Sequence, residues 1–556
     1  MARRSSTGAI VALIAVLLGL WWARSTQSSS TSSSPTAKDL IRGKNNTVLF
    51  LTTETHGLCN VHVATAFALA QRHPGTSVNY ASFPALAKRI ARTSALAAAS
   101  RTDPQIEDNG SPLITFHALS GASYRDVVTN STAYSGMSLI HGPGLAGAEG
   151  LCRVMDIGIN GWQVDDHIAQ YHSARAIMDA VDPSIVVVDV LLGPAYAAVR
   201  DARRAYAVLS PNTITGHTPA VQPLHTMLWK YSLIASGIPY PMKTPKQLLI
   251  NLIYTYKMIR CAIAKASQDA QKLSVLQAAG LQSIVDVTAM YDPAAPFITQ
   301  TLPGAHVDLL VVPDNFVMVG PVNLAGVEEL LLVNDGAATL PPLLEWVRRG
   351  PTMLINMGSM YEFREPELRV MAAAIDVVLR EVPGVQVLWK AKLAKDVVGP
   401  ESRYFRDDEG LLASLCQEGQ QNGRVKVEKW LEVEPPTLVL EENVVAYVHH
   451  GGAGAFNDAL GAGIPHVVLP MWADLYDYAT LVEYLDIGLW GCPETSPVWE
   501  VECLSSAFVE VLSGRGNETS SRGSIRRANA ARFGEQAKKQ VGRDVAAQEI
   551  ARLASL

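Results

Sequence analysis

Three places in the chain put reactive side chains where the backbone can hold them still. The first is His449-His450-Gly451-Gly452-Ala453-Gly454. It follows the β-branched apolar run Val444 to Val448, which reads as a buried parallel strand, and leads into a helical pattern from Ala455 to Leu460. A strand, a glycine-rich turn and a helix N-terminus together make an anion site. The turn lets a ligand approach the backbone, and the first N–H groups of the helix have no internal partner. Phosphate or diphosphate is the chemistry to expect. The second place is His56, in Glu54-Thr55-His56-Gly57, just past the strand pattern Thr47 to Thr53. A neutral imidazole there can take a proton from a hydroxyl at neutral pH. The third is Asp189, near the end of the strand pattern Ser184 to Val190. A carboxylate so placed can accept the imidazole's other N–H and stabilise the imidazolium.

The elements around these residues alternate. Strand patterns Thr47 to Thr53, Ser77 to Phe83, Leu113 to Ala118 and Ser184 to Val190 are separated by helical spacing, including Asn60 to Arg72 and Gln163 to Val181. A second series follows Pro341-Pro342, with strands Thr352 to Met357 and Val385 to Trp389 about the helix Glu365 to Arg380, and then Val444 to Val448 and Val467 to Leu469. Such alternation predicts doubly wound parallel sheets, α/β in class, with a cleft at the carboxyl ends of the strands. The expected organisation is an anchor and stalk over 1–45, a first Rossmann-like domain over 46–325, and a second over 340–556 that includes the terminal helices. Pro321 to Pro342 is the expected linker. The stretch from Pro241 to Gly280 is mainly helical and carries Lys243, Lys246, Lys257, Arg260 and Lys265. It reads as a core-packing helix pair with a solvated basic face, the alternative being a membrane-surface element.

At 556 residues, 48% hydrophobic and 18% charged, the chain has apolar material for two large cores. A net charge of -6 argues against a nucleic-acid footprint. The six cysteines contain no CxxC pair and are expected to be mostly buried thiols, neither a zinc site nor a disulfide framework. Arg3 and Arg4 precede an apolar run, Gly8 to Trp22, of about fifteen residues where a span needs roughly 20. With Trp21-Trp22 at its end it predicts a single-pass signal-anchor in an endomembrane such as the endoplasmic reticulum, on either side, the alternative being a cleaved signal peptide. Ser25 to Ser34 makes a flexible stalk, and Asn45, Asn130 and Asn517 open N-x-Ser/Thr sequons.

From His450 to Asp474 the chain also resembles the donor-binding signature of the UDP-glycosyltransferases, which have the GT-B fold of two facing Rossmann-like domains. His450-Gly451-Gly452-Ala453-Gly454-Ala455 matches the histidine–glycine turn, Asp458 stands where the family has a ribose-binding acid, and Pro470-Met471-Trp472-Ala473-Asp474 matches the segment that meets the sugar. The resemblance implies an inverting transfer of a hexosyl group, glucose by default, from a UDP-sugar to a hydroxyl of a small lipophilic acceptor, with no cofactor beyond the co-substrate and no metal. It makes His56 the base, with His62 and a structural histidine as alternatives, and Asp189 the orienting acid. It gives the diphosphate to His450, Gly452, Gly454, Ala455 and Ser359, the uracil to Trp430 unless that residue is core, the ribose to Asp458, and the sugar to Trp472 and Asp474. Leu475 replaces the usual glutamine, which leaves the sugar open. The rival of another class is a membrane-held binder of lipid or sugar nucleotide without turnover.

Two motifs are set aside. Gly142-Pro143-Gly144-Leu145-Ala146-Gly147 fits GxGxxG but follows no clean strand, so it is not expected to bind a dinucleotide. Asp165-Asp166-His167 with His172 has poor helical spacing for a metal and reads as a solvated face.

Overall fold

The computed structural model describes residues 40–101, 111–129, 139–284, 291–327, 341–394, 423–513 and 521–556. The expected anchor, the stalk, Cys416 and the sequons at Asn130 and Asn517 lie outside these. Among the described residues no helix is long and apolar enough to cross a membrane.

Seven strands form the first sheet: β1 (Lys44–Leu51), β2 (Ser77–Ser82), β3 (Ile114–Ala118), β4 (Pro183–Val188), β5 (Tyr206–Ser210), β6 (Phe297–Thr299) and β7 (Phe316–Met318), in the order β3-β2-β1-β4-β5-β6-β7. Six form the second: β8 (Thr352–Asn356), β9 (Gln386–Lys390), β10 (Val425–Glu428), β11 (Val444–His449), β12 (His466–Val468) and β13 (Gly488–Trp490), in the order β10-β9-β8-β11-β12-β13. Every pairing is parallel. Central strands such as β4 and β8 are buried along their whole length, which is why they read as unbroken apolar runs rather than alternating ones.

The helices that matter for the site are α1 (His56–Arg72), α2 (Gly144–Asn160), α3 (Pro245–Ala278), α4 (Ala453–Ala462), α5 (Leu475–Tyr484) and α6 (Gly542–Ala554). The expected helix pair over 241–280 is one continuous helix, α3, started by Pro245 and a capping box between Thr244 and Gln247. On it Lys246, Lys257 and Arg260 are exposed, whereas Lys265 pairs with Asp156 and Asp269.

The cysteine expectation needs correction. Cys152 on α2 is bonded to Cys261 on α3, with Cα atoms 6.1 Å apart, and Cys492 to Cys503, with 5.3 Å. The first pair is separated by 109 residues and meets because α2 packs on α3, a tertiary fact that spacing does not carry. Cys59 is a buried thiol as expected. The set of acids and histidines at 165–172 is also not a uniformly solvated face. Asp165 and His172 are exposed, but His167 is fully buried and Asp166 accepts the Ala122 N–H at 2.8 Å.

Two packing features join the halves. Ala148, Leu151, Tyr231, Ala235 and Tyr254 of the first domain share one apolar cluster with Phe456, Leu460, Tyr476, Ala479 and Val482 of the second. The last helix crosses back: Ala546, Ala547, Ile550 and Leu553 of α6 are buried with Val48, Phe67 and Ile185 of the first domain. The Ser184 hydroxyl and the Arg42 guanidinium donate to the Ala554 and Leu553 carbonyls at 2.8 Å. The helix expected to close the second domain therefore completes the core of the first. Ile550→Ala should cost about 2–5 kcal/mol of stability, read as a shift in the denaturant midpoint at unchanged slope.

Candidate active site

The anion turn forms as the pattern requires. β11 delivers His449 and His450, Gly452 stands at the N-cap of α4, and no side chain caps that helix end. A side chain at Gly454 would meet nothing within 4 Å, so the first turn of α4 faces open space. Gly452 and Gly358 have another task. A Cβ at Gly452 would lie 2.5 Å from His450 Nε2, and one at Gly358, whose φ is +80°, would lie 2.6 Å from Cε1. The imidazole is thus seated between two glycines, with Nδ1 unbonded. Burial and the nearby Lys390 push His450 down to about 4, so at neutral pH it offers one N–H and no charge. Behind it the Gly451 N–H donates to His449 Nδ1 at 3.0 Å, and His449 Nε2–H donates to His466 Nδ1 at 3.0 Å.

The other residues expected on the donor side lie about this turn. Ser359 follows β8 in the glycine loop, and its carbonyl accepts from Lys392 Nζ at 3.0 Å. Trp430 is 49% exposed and is therefore no core residue. Lys390 Nζ lies 3.7 Å from its ring centroid. Asp458 on α4 accepts from Asn323 Nδ2 of the linker at 2.9 Å, and burial raises it to about 7. Trp472 lies 6.3 Å from the His450 ring, and Asp474, at the N-cap of α5, is raised to about 6 by burial. Leu475 is buried.

Across the cleft, His56 is the first residue of α1, and its ring centroid stands 6.2 Å from that of Trp430. Burial, then Arg89, holds its pKa below the ordinary imidazole value, with Glu434 pulling the other way. His62 is wholly buried and pushed down to about 3, which takes it out of the cleft. The expected hydrogen bond between His56 and Asp189 is absent. Asp189 Oδ2 accepts from the Thr53 hydroxyl at 3.0 Å and Oδ1 from the Leu191 N–H at 3.0 Å, because both donors lie beside the strand ends that carry it. The carboxylate braces the loop leading to His56 instead of touching the ring. A small cavity of about 20 Å³ is lined by Asn60, Arg89, Asn323 and Glu434.

The chain matches no family model. It is 29% identical over 460 residues to the glycosyltransferase sdnJ of Sordaria araneosa, covering 81% of this chain and 84% of that one. The fold superimposes on the kitacinnamycin glycotransferase with a TM-score of 0.57, 15% identity and coverage of 92% and 100%. It also superimposes on a Polygonum tinctorium UDP-glucosyltransferase capable of glucosylating indoxyl, with a TM-score of 0.56, 14% identity and coverage of 92% and 99%. The chain has the GT-B fold of these glycosyltransferases.

Two charged residues at the site were not among those the residue pattern singled out. Lys390 ends β9, donates to the Gly358 carbonyl at 3.1 Å and lies 6% exposed between His450 and Trp430. Burial, then Lys392, lowers it to about 8, so it keeps most of its charge at neutral pH. Glu434, at the N-cap of the short helix Pro435–Val439, acts electrostatically on His56, Lys390 and Asp458 at once. The available signal was a lone lysine closing a buried apolar strand. Lys390→Met should weaken binding of inorganic pyrophosphate at this turn about tenfold, or about 1.4 kcal/mol, measured by titration calorimetry with the fold unchanged by circular dichroism.

Proposed function

We propose that this chain is a glycosyltransferase that moves a hexosyl group from a UDP-sugar to a hydroxyl of a small lipophilic acceptor with inversion. The observation that carries the reading is the meeting of His56 from one half with Trp430 from the other, beside the Lys390 that also acts on His450. In the proposed step the acceptor oxygen bonds to the anomeric carbon while the bond from that carbon to the β-phosphate oxygen breaks. The electron pair leaves with UDP, and the acceptor's proton passes to His56. The leaving diphosphate takes hydrogen bonds from the first N–H groups of α4 and from His450, with Ser359 in the facing loop and Lys390 as counter-charge. Gly452, Gly454 and Ala455 contribute backbone, Trp430 stacks on uracil, Asp458 turns to the ribose, and Trp472 and Asp474 meet the sugar. Asp189 acts on His56 indirectly, by fixing Thr53. Leu475 leaves the sugar identity to experiment, with glucose first.

We also place the chain at an endomembrane through the run Gly8 to Trp22. The two disulfides and the exposed sequon residue Asn45 favour catalytic domains in an oxidising lumen.

A panel of UDP-sugars against hydrophobic acceptors, read by mass spectrometry, tests the reading directly. Slow UDP release from UDP-glucose without acceptor marks a transferase, whereas retention of intact label marks a binder that does not turn over. His56→Ala should cut transfer by about 10²–10⁴ and leave UDP affinity within about twofold; unchanged turnover would show that another group takes the proton. Because the base must be neutral and its pKa is depressed, kcat/KM should stay high down through pH 6.5 and fall only below it.

A further inference from the structure

The glycine-rich segment that follows no strand, Gly142 to Gly150, is the seat of His141. The geometry points to His141 as a positioning residue: its imidazole holds the donor-sugar loop, Trp472 to Asp474, in the conformation that meets the sugar. This rests on the donor reading above.

His141 is 7% exposed at the junction of the two halves. Its N–H donates to the Met471 carbonyl at 3.0 Å, and its own carbonyl accepts from the Tyr476 hydroxyl. Its Nε2 accepts the Ala473 N–H at 2.9 Å, and Nδ1 donates to the Gly142 carbonyl at 2.7 Å. One residue of the first domain thus grips the second domain's sugar segment on both sides of Ala473. The two ring bonds require the neutral tautomer with its proton on Nδ1. Burial favours that neutral form and Arg153 adds to it, while the bond to the Gly142 carbonyl pulls the other way.

Ala473 is the reason the grip matters. Its φ is +44°, the left-handed region that alanine adopts only when something holds it there. The His141 bond supplies that hold, and Trp472 and Asp474 hang from either side of it. The glycines explain themselves on the same view. A Cβ at Gly147 would stand 1.6 Å from the Gly142 carbonyl oxygen, and one at Gly150 would stand 2.3 Å from the His141 Cβ. Glycine at 147 and 150 lets α2 lie directly against His141 and its carbonyl neighbour, so the segment seats a histidine rather than a phosphate.

The test compares UDP with UDP-glucose, since only the second reaches the sugar loop. By calorimetry on the full chain, His141→Phe should keep UDP affinity within about twofold and weaken UDP-glucose about tenfold or more. Steady-state kinetics should show the donor KM rising more than kcat falls. His141→Gln, which keeps an acceptor oxygen, should restore much of the loss. Adding Ala473→Gly to His141→Phe should restore it as well, because glycine takes positive φ unaided. Equal weakening of both ligands, or an unchanged ratio, overturns the role. If His141→Phe does not fold, His141→Met against His141→Gln asks the same question, and equal ratios in both overturn it. A wild-type chain that binds neither ligand instead overturns the donor reading, and this inference with it.

Discussion

The position of the His450 ring is the constraint on which the second domain's working edge depends. Side chains are excluded at Gly358 and Gly452 because the imidazole fills both places. The loops after β8 and β11 therefore close on the ring from opposite sides. Those strands are neighbours in the sheet, in register from Met353 with Ala446 to Asn356 with His449, so the two loops emerge together. Extending the same order outward puts Lys390 at the end of β9 and Trp430 just past β10. The row Trp430, Lys390, Gly358, His450 is the strand order β10-β9-β8-β11 read along its carboxyl edge.

The two halves are less independent than a two-domain plan suggests. They share an apolar cluster built from α2, α3, α4 and α5, and α6 is part of the first domain's core although it is last in sequence. Large apolar junctions disfavour free rotation of one domain against another. The first domain's loops are thereby fixed relative to the His450 turn, which is what the proposed base on one side and leaving group on the other need from a scaffold.

Much of this was legible in the residue pattern, and the parts that were not share a cause. Buried parallel strands are apolar on both faces, so Thr352 to Met357 and Val385 to Trp389 lie within a residue of the strands observed. The anion turn was legible because its chemistry is local: strand, glycines and helix start follow one another within a dozen residues. Contacts between distant side chains were not. Asp189 was expected to reach His56, but the Thr53 hydroxyl and the Leu191 N–H lie closer and take both oxygens. Cys152 and Cys261 are neighbours only once α2 lies on α3. Lys390 looked like the polar end of a strand, and nothing in the sequence says that a tryptophan forty residues later will cover it.

The charges at the site form a coherent set under the proposed reading. A diphosphate carries negative charge into a half-buried place, and uncompensated charge there is expensive. His450, held near 4, contributes a hydrogen bond but no positive charge at neutral pH. The compensation must come from Lys390, still mostly protonated with its value near 8, and from the helix end, worth roughly half a unit charge. Asp458, near 7, is about half neutral at neutral pH, which softens its repulsion of incoming phosphates, whereas Asp474, near 6, is mostly ionised. As their carboxyl groups meet sugar and ribose hydroxyls, hydrogen bonding favours the ionised form, so donor binding and ionisation reinforce one another. The burial that makes the empty site costly in charge is therefore what tunes it to accept a charged ligand.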